Sequence, residues 1–118
     1  DVYKRQVHQN YKNKVLKAND IATMTTGKRL GHPVRSIKNP YTKEYFRLEY
    51  SGISDEELEA YGRGALYRAA VEGDEKTGCF LAGQIAGMVN REQPAKEIIE
   101  EIFREAEDVL NGAAKWVK

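Results

Sequence analysis

Between Pro94 and Leu110 the apolar residues fall on one line. Ile98, Ile102, Ala106 and Val109 recur at helical spacing, and Ile99, Phe103 and Leu110 widen the stripe. The other face carries Glu97, Glu100, Glu101, Arg104, Glu107 and Asp108. This spacing predicts a one-sided helix, which must lay its apolar face on some other surface. A small helical bundle would supply that surface, and so would the outside of a barrel. The remainder of the chain has to be read for one or the other.

At 118 residues there is room for one ordinary domain. Val7 to Ala18 reads as a short helix, with Tyr11 and Val15 on one face and the lysines outward. Ile21 to Thr26 is rich in β-branched residues and stops at Gly27, and Val34 to Lys38 alternates apolar with polar. Together they predict two short strands able to pair across the loop Lys28 to Pro33. From Pro40 the pattern turns helical: Tyr41, Tyr45 and Leu48 share a face, with Pro40 at a tolerated first-turn position. Ser51-Gly52 breaks that helix. Ser54 and Glu57 then make a capping box, with Ile53 and Leu58 spaced as its hydrophobic staple. After Gly62 and Gly64 a further helix runs toward Gly73. The chain thus offers four or five helices and one strand pair.

The net charge of +1 conceals an asymmetry. Val7 to Lys43 holds eight bases and one acid, a net +7, whereas Glu44 to Lys118 holds nine bases and sixteen acids, a net −7. A basic front suits an anionic partner, although a dipolar, solvated surface accounts for the same numbers. No apolar run approaches the ~18 residues that span a bilayer, so no membrane association is expected. The lone cysteine, Cys79, has no internal disulfide partner, which points to a reducing, cytoplasmic setting. It reads as a small buried residue and not as a redox group.

One stretch resists a routine reading. GCFLAGQIAGMV, Gly78 to Val89, has the apolar content of a buried helix, yet Gly83 and Gly87 would lie inside it. Each interior glycine costs about 1 kcal/mol relative to alanine. Ala82 with Ala86, and Gly83 with Gly87, are i, i+4 pairs, so a helix here would bare one face of small residues. Such a face admits close approach of another backbone or a flat ligand, and tight helix packing is the plain alternative. Gln84, able to donate and accept, stands beside it.

The stretch VEGDEKTGCFLAGQIAGMVNREQPAKEIIEEI resembles the carboxy-terminal end of the FMN-dependent enoyl-acyl-carrier-protein reductases. These are grouped with the nitronate monooxygenases, once called 2-nitropropane dioxygenases. VHQNYKNKVLKANDIATMTTGKRLGHPVRSIKNP resembles the segment that follows the last barrel strand in that family, so the likeness runs from about Val7 to Trp116. GHPVR and AGQIAG are its most specific pieces. The resemblance implies the α/β class: a flavin-binding (β/α)₈ TIM barrel, of which residues 7–118 form the C-terminal segment with its returning helices. A barrel takes about 250 residues, so this chain would be under half of the enzyme and inactive alone.

The family activity is reduction of the 2,3 double bond of an acyl thioester in fatty acid biosynthesis. NADH or NADPH is the hydride donor and FMN the cofactor. Residue by residue, the resemblance implies cofactor contacts at Gly83 and Gln84 and an acyl-site border at Leu81. It implies no metal. The family's phosphate loop and active-site histidine lie upstream, so neither His8 nor His32 receives a catalytic role, and His32 is expected to shape its loop. Lys28, Arg29 and Arg35 would face the acidic acyl carrier protein or the nucleotide phosphates, and a homodimer is compatible.

Nitronate monooxygenase is the neighbouring alternative, with the same barrel and flavin but oxygen acting on a nitronate. A self-contained helical module with a basic binding surface is an alternative of another class. Against nucleic acid as its partner, no aromatics are interleaved with Lys28, Arg29, Arg35 and Lys38. Residues 1–6, DVYKRQ, have no place in the family pattern. They read as the translation of GAT GTG TAT AAG AGA CAG, a transposon end used in sequencing libraries, and so as an adaptor artefact.

Overall fold

The computed structural model describes residues 7–116. DVYKRQ, read above as adaptor, lies outside the described residues. The chain is mainly helical with a two-stranded antiparallel sheet. In order come α1 (Gln9–Leu16), β1 (Thr23–Thr26), β2 (Val34–Ile37), α2 (Pro40–Glu49), α3 (Asp55–Gly62), α4 (Ala65–Tyr67), a π-turn (Arg68–Glu72), a 3₁₀ turn (Gln84–Met88) and α5 (Ala95–Ala113). No helix among the described residues is long and apolar enough to cross a membrane.

The strand pair forms as the alternation predicts, with Thr23 opposite Ile37 and Thr26 opposite Val34. Its connection turns on Gly27 at φ +77°. The amide of His32 donates to the Gly27 carbonyl (3.1 Å), and a Cβ on Gly27 would stand 2.6 Å from the His32 carbonyl oxygen. Only glycine satisfies both the dihedral and the approach. His32 therefore closes this loop.

Helix α2 starts at a cap that is not evident from Pro40 alone. The Asn39 side chain accepts from the Thr42 amide (2.9 Å), while the Thr42 hydroxyl accepts from the Asn39 amide (3.0 Å). The Asn39 carboxamide also donates to the carbonyls of Glu75 (3.1 Å) and Gly78 (2.7 Å), which ties the start of α2 to the 74–78 turn. The α3 capping box is present as read: Ser54 accepts from the Glu57 amide (3.2 Å), and Glu57 accepts from the Ser54 amide (3.0 Å). Leu58 is fully buried. The helix expected to end near Gly73 is a short α-turn that widens into the π-turn, with Gly73 in the left-handed region at its end.

GCFLAGQIAGMV is not a buried helix. Residues 79–82 run extended along the free edge of β2, where Leu81 bridges Ser36, and only Gln84–Met88 coil, as a 3₁₀ turn. The reason is physical: β2 offers open edge groups that an extended strand satisfies, whereas a helix would carry two costly interior glycines. Close approach is nevertheless real at one of the two. A Cβ on Gly87 would lie 2.9 Å from the Asn19 backbone, while one on Gly83 would meet nothing within 4 Å.

The core is small and divided. Ile37, Ala69 and Phe80 form one cluster, flanked by Tyr11, Val15 and Ala82. Tyr41, Ala65 and Cys79 form the other, flanked by Tyr45 and Tyr61. Helix α5, as one-sided as its sequence predicts, extends to Ala113 and leaves Ile99, Ile102, Phe103, Val109 and Leu110 exposed.

Candidate functional site

Segment 79–82 is fastened from two sides. On the β2 side, the Ile37 amide donates to the Phe80 carbonyl (2.8 Å) and the Ala82 amide to the Arg35 carbonyl (3.2 Å). On the α1 side, the Tyr11 hydroxyl donates to the Leu81 carbonyl (2.6 Å). Phe80 is thereby sunk into the core, with the Tyr11 ring 5.0 Å from its own. Alternation along an extended segment then turns Leu81 away from that cluster.

Leu81 reaches an apolar cleft of about 200 Å³, whose walls include Gly27 and His32 of the hairpin loop, Tyr41 and Tyr45 of α2, and Cys79. The lining is mostly hydrocarbon and aromatic, chemistry that accepts an acyl chain and offers little to an ion. Burial pushes the Tyr41 phenol far up from its ordinary value. Burial also raises the Cys79 thiol, with the Ser36 hydroxyl acting in the opposite direction. Both groups therefore stay protonated through the neutral range, and Cys79 is no thiolate nucleophile.

Gly83 and Gln84 stand where the fastened segment leaves the sheet, both exposed. Open space beside Gly83 leaves room for a flat ring against its backbone, and the Gln84 amide faces solvent. That is an open edge and not an enclosure. The exposed backbone at Gly83 and the exposed Gln84 are compatible with one wall of a site for a flat ring such as FMN.

The basic trio is not brought together as one patch. Lys28 is exposed on the hairpin loop. Arg29 is exposed but engaged, donating to the carbonyls of Glu49 (3.0 Å) and Ile53 (2.9 Å) and pairing with Asp55 (2.9 Å). Arg35 is half-buried and donates to the Thr23 hydroxyl (3.2 Å). Elsewhere in the basic front, Lys12 pairs with Glu92 and Lys14 with Glu75, so front and back partly neutralise each other. His8 caps α1, its Nδ1 accepting from the Asn10 amide (3.1 Å). No cluster of metal-ligating side chains occurs among the described residues.

Sequence reasoning passed over Glu49. It is 1% exposed and sits at the end of α2, where its two carboxylate oxygens accept from the amides of Gly27 (3.1 Å) and Arg29 (2.8 Å). The signal was present: Glu49 continues the Tyr41, Tyr45 line at i+4, a charge on the buried face.

No family model matches the sequence, and no curated protein matches it. Solved structures do. A structure of FabK from Thermotoga maritima matches with a TM-score of 0.88 and 35% identity, covering 94% of this chain and 35% of that one. A structure of its M276A mutant matches with a TM-score of 0.77 and 32% identity, covering 94% of this chain and 32% of that one. The chain thus spans about a third of the length of the structures it matches. In sequence and in fold alike it is similar to one part of FabK, an enoyl-acyl-carrier-protein reductase related to the nitronate monooxygenases, and the resemblance carried by its residues stands.

Proposed function

We propose that the chain is the carboxy-terminal part of a flavin-dependent enoyl-acyl-carrier-protein reductase built on a (β/α)₈ barrel, and that it is inactive by itself. The observation that carries this is the match over 94% of the chain to a third of FabK. The apolar cleft beside Leu81, next to the open edge at Gly83 and Gln84, is compatible with it. When bound, FMN supplies the hydride relay from NADH or NADPH to the 2,3 double bond of the enoyl thioester. The part of this chain is to hold and orient. Leu81, Tyr41 and Tyr45 offer the acyl chain an apolar wall, while Gly83 and Gln84 meet one edge of the flavin. The raised phenol of Tyr41 keeps that wall uncharged at neutral pH.

Lys28, exposed on the loop at the cleft, is the proposed contact for the acidic carrier protein or the nucleotide phosphates, where charge complementarity raises association rate. Arg29 and Arg35 act there through the loop and strand that they brace. The setting is proposed to be cytoplasmic.

The test is an assay of the full-length protein with crotonyl thioester and NADH, run against propionate-3-nitronate and oxygen. Thioester reduction at more than a hundred times the background rate is expected. Oxygen-dependent nitronate turnover without thioester reduction would replace this reading with the monooxygenase.

A further inference from the structure

A carboxylate at the C-terminal end of a helix faces the negative end of the helix dipole. Burying it there adds a desolvation cost unless hydrogen bonds fill its lone pairs. Glu49 is 1% exposed in that position and draws its bonds from one place, the hairpin loop. Oε2 accepts from the Gly27 amide (3.1 Å) and Oε1 from the Arg29 amide (2.8 Å). The Arg29 guanidinium returns to the Glu49 carbonyl (3.0 Å), continues to the Ile53 carbonyl (2.9 Å), and pairs with Asp55 (2.9 Å). The loop between Gly27 and His32 is thus gripped at both a main-chain and a side-chain level by the α2–α3 junction.

That loop is also a wall. Gly27 and His32 line the cleft together with Leu81. Their spacing is set by the left-handed turn at Gly27 and by the 3.1 Å bond from the His32 amide to the Gly27 carbonyl. We propose that Glu49 is a positioning residue, which clasps the 27–32 loop against the apolar cleft and so fixes how closely that cleft holds an acyl chain. The acyl part of this statement rests on the reductase reading; the clasp itself does not.

Both parts are tested in the full-length protein with Glu49→Gln. Glutamine keeps the shape but turns an NH₂ toward one of the two amides, leaving a donor facing a donor. Hydrogen exchange of residues 27–32 is expected to rise at least about tenfold, the scale of losing one charge-assisted bond, while Thr23–Thr26 keep their protection. The Michaelis constant for crotonyl thioester is expected to rise about tenfold, with kcat and the constant for NADH within about twofold. Unchanged loop exchange would overturn the clasp, and so would loop and strand exchange rising together, since Glu49 would then serve only global stability. A selective rise in loop exchange with an unchanged thioester constant would overturn the link to the cleft. Wild-type protein without enoyl reduction would remove the reductase reading, and the exchange comparison would still decide the clasp. Should Glu49→Gln fail to accumulate folded, Gly27→Ala strains the same loop at the residue whose amide Glu49 holds, because its Cβ would stand 2.6 Å from the His32 oxygen. The same selective pattern is expected there, and its absence would overturn the proposal.

Discussion

Gly73 and Gly83 stand in opposite situations. Gly73 has φ +64°, and a Cβ there would lie 2.1 Å from the His8 ring. Gly83 is extended and its Cβ would meet nothing. Alanine at position 73 is therefore expected to cost about 1–2 kcal/mol for the left-handed backbone alone, with the His8 contact adding to it. Alanine at position 83 should stay within about 0.5 kcal/mol. Denaturant midpoints of the two variants in the full-length protein check the contrast. The tyrosines give a second residue-scale expectation. Tyr41 and Tyr61 stack at 5.4 Å with Tyr45 beside them, and burial raises all three phenols from their ordinary value near 10. A group whose folded value is raised contributes stability that is present below its unfolded value and lost as pH rises through the folded one. Melting temperature should therefore hold through neutral pH and fall above about pH 10. A Tyr41→Phe variant should soften that alkaline fall, and an unchanged profile would exclude Tyr41 as its source.

Elements whose causes lie within a few residues were legible in the sequence. The Ser54–Glu57 box needs only its own first turn, and the β1–β2 pair needs only alternation and a turn glycine. Removing the Ser54 hydroxyl should cost about 1 kcal/mol in a urea unfolding curve. Asn39→Ala should cost more, about 2 kcal/mol, because Asn39 also holds the Glu75 and Gly78 carbonyls. Elements decided by distant partners were not legible. Small residues at i, i+4 spacing in GCFLAGQIAGMV satisfied a helical period, but the free edge of β2, some forty positions earlier, decided the conformation. The burial of Glu49 was readable from its place on the Tyr41, Tyr45 face, but its partners, twenty and more positions upstream, were not. Of the candidate site, the structure gives surroundings and not roles: Leu81 lines the cleft, Gly83 is open, and Arg29 is engaged with Glu49, Ile53 and Asp55.

For the whole molecule, the radius of gyration is 18.4 Å, against about 13 Å for a compact chain of 100 residues. Among the described residues eight apolar side chains are buried, while nineteen large ones are exposed, six of them along α5 between Ile98 and Leu110. So small a core beside so long an uncovered face supports the proposal that the chain is part of a larger body. Phe103→Ala should then cost about 3 kcal/mol or more in the full-length protein, where the face is covered, and leave the helical circular dichroism of the isolated chain unchanged. The most direct measurement is an FMN titration of the purified 118-residue chain beside the full-length protein, followed by flavin fluorescence. Stoichiometric binding by the full-length protein and none by the 118 residues is the expected result. Stoichiometric binding by the 118 residues alone would contradict it.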